Sequence, residues 1–152
     1  MKRSRGSNSS LYTIAPPYDL AFRSGEVMTP AVPHSHDGAE VYFTLTDLPD
    51  VLLGDTVSAV SAGTLIIIPA FCVHQLYHEA GRKYDRYVLM INTGWLGDAL
   101  CGTASDFSYL KSTDTPLFIH PESTKKRELL RRFRELLSFD DPSSPEALSV
   151  FF

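Results

Sequence analysis

The stretch PHSHDGAE, residues 33–40, sets His34, His36 and Glu40 close together in a chain that holds five histidines in 152 residues. If it feeds a β-strand, side chains alternate between faces, and these three positions share parity. They can then point to one side, unless Asp37-Gly38 kinks the backbone. Imidazole nitrogens and a carboxylate oxygen suit a divalent transition metal such as zinc, iron, manganese or nickel. One strand cannot close such a site, so a ligand from elsewhere is needed. The candidate is His74, at the end of GTLIIIPAFCVH, residues 63–74. The alternative is a polar interior satisfied by hydrogen bonds and water, which would still bind polar ligands and respond to pH near neutrality.

The elements that must position these residues are mostly short strands. The patterns predict strands over 19–28, 40–46, 51–54, 56–60, 64–69, 74–78 and 84–92, separated by Leu-Pro-Asp, Gly-Asp, Ser-Ala-Gly and Glu-Ala-Gly-Arg-Lys turns. So many short strands at near-regular spacing indicate a mainly β sandwich or barrel over residues 11–119. The character changes after His120. In TKKRELLRRFRELLSF, residues 124–139, Leu129, Leu130, Phe133, Leu136 and Leu137 form one helical stripe. Ser123 or Thr124 can cap its start, and Asp140-Asp141-Pro142 stops it. Ser144-Pro145-Glu146 opens a second helix shortly before the sequence ends at Phe151-Phe152.

Bulk properties set limits. With 43% hydrophobic and 21% charged residues the chain reads as one globular domain that needs no disulfide to fold. A formal charge of -4 and a pI near 5.7 argue against a surface-wide nucleic-acid footprint. Cys72 and Cys101 are not spaced as CxxC, which fits a reducing cytoplasm. Residues 1–10, MKRSRGSNSS, read as a flexible arm without the apolar core of a signal peptide. The longest aliphatic run, Leu65-Ile66-Ile67-Ile68, is too short to span a bilayer, so no membrane role is expected.

HxHxxxE and the later Gly-x5-Pro-x4-His resemble the paired motifs of the cupin superfamily, on His34, His36, Glu40, Gly63, Pro69 and His74. The resemblance implies a single cupin (double-stranded β-helix, or jelly-roll) barrel, with His34, His36, Glu40 and His74 as metal ligands. The sequence departs from the motifs at Asp47 and Phe71, where glycines are usual, at Gly25, upstream of the usual place, and at His78, where asparagine is usual. With YDRYVLMIN and the helical tail added, residues 15–152 resemble the N-terminal regulatory half of AraC-type transcriptional regulators. That likeness implies a small polar effector bound in the barrel and a homodimer formed through the C-terminal helices, residues 120–152. It also implies contact with DNA only through helix-turn-helix units beyond Phe152, and hence a longer natural chain.

Tyr42, Leu76 and His78 share parity with the motif residues and are candidate ligand contacts, alongside core lining as their other use. Arg86 can offer its donor fork to a ligand carboxylate or hydroxyl, or pair with an acid at the rim. Trp95 is expected to pack as a lid or under a helix, Cys72 as a small hydrophobe, and the basic residues of 124–134 as a solvated face. A stand-alone metal-dependent cupin enzyme, of dioxygenase or sugar-phosphate isomerase type, is the competing expectation. No further acid/base pair stands at motif spacing to support it.

Overall fold

The computed structural model describes residues 13–25, 32–77, 81–99, 101, 108–111 and 115–150. The arm at 1–10, His78, and the end of the first expected strand lie outside the described residues. Eight strands appear in these: β1 Tyr18–Arg23, β2 Ala39–Thr44, β3 Leu48–Leu53, β4 Thr56–Val60, β5 Leu65–Ile68, β6 His74–Leu76, β7 Arg86–Ile91 and β8 Leu117–Ile119. Three α-helices accompany them: α1 Thr93–Ala99, α2 Ser123–Leu137 and α3 Pro145–Ser149.

The strands make two antiparallel sheets, ordered β1-β7-β2-β5-β8 and β4-β3-β6. Apart from the β3–β4 hairpin, neighbours in the sheets are distant in sequence, as in a jelly roll. Among the described residues the sheets do not merge into one closed barrel. They are joined by a backbone bridge between His34 and His74, whose amides and carbonyls exchange hydrogen bonds of 3.1 and 2.9 Å. Within β3 the register shifts between Leu48 and Val51, across Pro49, which has no amide hydrogen to give the ladder.

Alternation along β2 and β7 sorts the core into two layers. Val41, Phe43, Tyr87, Leu89 and Ile91 point outward from the five-stranded sheet and meet Phe133 and Leu136 of α2. Ile66, Ile68, Leu48, Val51, Leu53, Val60, Cys72, Leu76 and Tyr84 fill the space between the sheets, with Tyr42 packed against them. The apolar stripe of α2 therefore covers the outer face of the five-stranded sheet. Its polar face carries ion pairs, Lys125–Glu128 at 3.0 Å and Arg131–Glu135 at 2.6 Å, as a solvated basic face should.

The start of α2 differs from expectation. Residue Glu122 caps α2 without a side-chain hydrogen bond, so neither Ser123 nor Thr124 serves. For α3 the reading holds: Ser144 Oγ accepts from the Ala147 amide, with Pro145 in the first turn. Helix α3 is tied to α2 by Arg132 Nη1, which donates to the Val150 carbonyl at 2.5 Å.

Position 71, one of the departures from the cupin pattern, takes a backbone conformation that favours glycine. Phe71 has φ 64°, the left-handed region, and its amide donates to the His36 carbonyl at 2.7 Å. The turn keeps the glycine conformation with a side chain that resists it. Phe71→Gly should therefore raise stability by about 1 kcal/mol, less the extra freedom glycine gives the unfolded chain. Urea unfolding checks this; a drop in stability would mean that the half-exposed ring contributes more than the backbone loses.

Candidate metal and ligand centre

Ala39 begins β2, so His34 and His36 precede the strand and do not ride on it. Between them and the strand lie Asp37 and Gly38. A Cβ on Gly38 would stand 2.7 Å from the Ile91 carbonyl oxygen, so the bend needs glycine. Asp37 Oδ1 accepts from the Ile14 amide at 2.9 Å and pins the entering chain. The bend brings His36 over Glu40, and the antiparallel bridge sets His34 beside His74.

His36, Glu40 and His74 are each at most 3% exposed. Glu40 Oε2 is 3.0 Å from His36 Nε2 and 2.8 Å from His74 Nε2. The first contact is a hydrogen bond. The second is short but out of line, and His74 Nε2 has no hydrogen-bond partner among the described residues. The other ring nitrogens decide the tautomers. His36 Nδ1 faces the Gly38 carbonyl at 2.8 Å, and His74 Nδ1 faces the Cys72 carbonyl at 2.9 Å. A carbonyl only accepts, so each Nδ1 carries the hydrogen and each neutral ring turns an Nε2 lone pair toward Glu40.

Two lone pairs and a carboxylate oxygen cannot satisfy one another. A positive species must sit among them, either a proton on a ring or a metal ion. The residues fit a metal: the three ligand atoms lie within 4.8 Å of one another, and the carbonyl-held rings are how metal-binding imidazoles are usually oriented. His34 stands outside this set. Its ring lies 4.3 Å, centroid to centroid, from that of His74, and its Nδ1 faces the Val32 carbonyl at 3.0 Å.

Electrostatics follow the same logic. Burial opposes the Glu40 charge, but the close contacts and charge of His36 and His74 prevail and bring its pKa from 4.5 down to about 2. Burial likewise opposes imidazolium at His36, and the Glu40 hydrogen bond and charge overcome it, so its pKa is raised above 6.5. With metal chelated, Glu40 therefore contributes stability above pH 4.5 that is lost as pH falls toward 2. His36 contributes stability below pH 6.5 that is lost as pH rises through its raised value. Urea midpoints of chelated protein should thus peak between these limits. Added zinc should reverse the alkaline arm, because ligation needs the deprotonated ring.

Of the other expected contacts, Tyr42 lies on the same face of β2 as Glu40. Burial, then the charge and hydrogen bond of Glu40, push its phenol well above 10. Leu76 is buried between the sheets with His74's neighbours. Arg86 stands on the inner side of β7, opposite the face that meets α2. Arg23 was not among the expected residues; the signal is the β1–β7 register, which places it directly beside Arg86. Trp95 sits on α1 and packs against the outer core, not over the centre. Cys72 is buried and free, as a small hydrophobe should be. An open groove of about 970 Å³, lined by Asp47, Asp50, Tyr77, Arg82, Phe118 and His120 among others, lies away from these residues.

No protein-family model matches the sequence, and no match was found among curated proteins. Solved structures do match. ToxT from Vibrio cholerae, bound to an unsaturated fatty acid, aligns at TM-score 0.59 and 10% identity, over 91% of this chain and 53% of that one. Its apo K231A form aligns at 0.58 and 10%, over 88% and 52%. A cupin 2 conserved barrel domain protein from Salinispora arenicola aligns at 0.45 and 12%, over 64% and 94%. The fold is mainly β, two antiparallel sheets in jelly-roll order, and is similar to that of ToxT. This chain spans about half the length of ToxT, and since residues 1–119 make up under four fifths of its 152 residues, the ToxT likeness reaches into the C-terminal helices. No helix among the described residues is long and apolar enough to cross a membrane.

Proposed function

We propose that this chain is the effector-sensing and dimerisation part of an AraC-type transcriptional regulator, acting in the cytoplasm. Residues 11–119 form the sensing barrel and 120–152 the helical segment. The observation that carries the reading is the cluster of polar groups turned into the space between the sheets: Glu40, His36 and His74, with Tyr42 and Arg86 beside them. Such a wall holds a small polar molecule. The fold likeness to ToxT, which includes the helices, supports the same reading, and the fatty acid in that structure shows the kind of guest a related fold can take.

On this reading His36, Glu40 and His74 hold a divalent transition metal (zinc, iron, manganese or nickel), with His34 beside them, and the effector is contacted by Tyr42, Leu76, His78 and Arg86. A bound metal would supply a fixed positive charge and a Lewis-acid contact for an effector oxygen. Since α2 spends its apolar face on the sheet, the second subunit must meet other surface, including the half-exposed Leu137 and the region of α3. DNA contact belongs to helix-turn-helix units of the intact regulator. Effector binding shifts the equilibrium only by its differential affinity for two arrangements of these parts.

Native mass spectrometry of protein purified without chelator tests the reading. A dimer mass with bound metal or co-purified ligand is expected; a strictly monomeric, empty protein overturns it. The buried donor set also favours a second reading, a metal-dependent enzyme. Oxygen uptake or sugar-phosphate isomerisation by iron- or manganese-loaded protein would establish that instead.

A further inference from the structure

Arg23 on β1 and Arg86 on β7 are cross-strand partners on the inner side of the five-stranded sheet. Thr44 flanks Arg86 on β2, and Tyr42 lies diagonally next to it. Like charges placed directly opposite on adjacent strands repel. Among the described residues no carboxylate lies within ion-pair distance of either guanidinium. Glu40, the acid that both the phenol of Tyr42 and Arg86 feel, is taken up by His36 and His74. Arg86 Nε is buried with no hydrogen-bond partner among the described residues. A buried donor on a charged group is expensive to leave unpaired.

We infer that Arg23 and Arg86 form an anion seat, and that the effector is a carboxylic acid whose carboxylate rests on Arg86 with its body directed toward Tyr42 and the His36–Glu40–His74 centre. This deepens the sensor reading above and rests on it. A guanidinium fork matches a carboxylate bidentately. A single negative charge suits the seat better than a dianion, because Glu40 stands nearby. The adjacent inward positions Ala21, Val88 and Met90 offer the body of the acid an apolar bed.

The test uses the whole chain and matched probes: salicylate against salicylamide, hexanoate against hexanamide, and inorganic phosphate alone, followed by calorimetry and thermal unfolding. Each acid should bind at least tenfold more tightly than its amide, and phosphate more weakly than the acids. Arg86→Gln should erase the preference for the acid. Arg23→Gln, at an exposed position, should weaken acid binding several-fold yet raise the melting temperature of the ligand-free protein, since it removes a repulsion. Amides binding as well as acids, phosphate binding best, or an acid preference that survives Arg86→Gln would overturn the anion seat and leave the sensor reading standing. Failure of every probe to bind overturns the seat as well; the sensor reading falls with it only if native mass spectrometry also finds an empty monomer.

Discussion

Glu40→Ala should lower the unfolding free energy by about 3–5 kcal/mol, the usual result of removing one member of a buried charge cluster. For a chain of this size that is a fall in melting temperature on the order of 10 °C. The carboxylate is 3% exposed, accepts from His36, and lies against His74 and Tyr42. Its loss strands three polar groups in a space that water reaches poorly. The milder Glu40→Gln separates charge from shape. It keeps the volume and a carbonyl acceptor, so stability should drop less, but the charge that sustains His36 is gone. Burial, the largest influence on that ring, is then opposed only by the Gly38 carbonyl and the charge of Asp37, so its pKa should fall. Histidine titration followed by NMR on chelated protein reads this fall directly. An unmoved His36 would mean that Glu40 does not neutralise it.

The second large effect lies on the other side of the same sheet. Phe133 stacks on Tyr87, with centroids 5.1 Å apart and planes at 6°, and on Phe43 at 5.9 Å and 18°. The ring is 4% exposed and anchors α2. Phe133→Ala should cost about 3–5 kcal/mol, combining lost transfer energy with the cavity left behind. Hydrogen exchange should quicken across residues 123–137 before it does in the sheets. By contrast, Arg131→Ala breaks only a solvent-exposed pair with Glu135 and should stay within about 0.5 kcal/mol. Equal effects from the two changes would mean that α2 is held by charge and not by its aromatic anchor.

Much of this was legible in the sequence because the relevant signals are local. The apolar stripe of α2 keeps helical spacing from Leu129 to Leu137, and most strands lie between turn residues. Ser144 and Pro145 announce α3. Type and spacing suggest that His36 and Glu40 meet, and the cupin resemblance adds His74 to them. The parity argument reached that answer by an imperfect route, since Asp37 and Gly38 interrupt the strand and leave His34 outside the tight donor set. Helix α1 is hidden by Gly94 and Gly97, both poor helix formers; its real signal is Asn92, whose Oδ1 accepts from the Trp95 amide. Strand β8 is three residues long, too short for any periodicity. The pairing of Arg23 with Arg86 depends on which strands become neighbours, and that is a property of the assembled sheet.

Strands β2 and β7 are a partition with a reader on each side. Tyr42 and Arg86 look into the interior, while Phe43 and Tyr87, next to them in the chain, grip Phe133. On the proposed sensor reading, news of a guest would cross only one ply of polypeptide to reach the helix. A slide or twist of either strand would be felt on both faces at once, so such a messenger would need neither a lid nor a long relay of side chains.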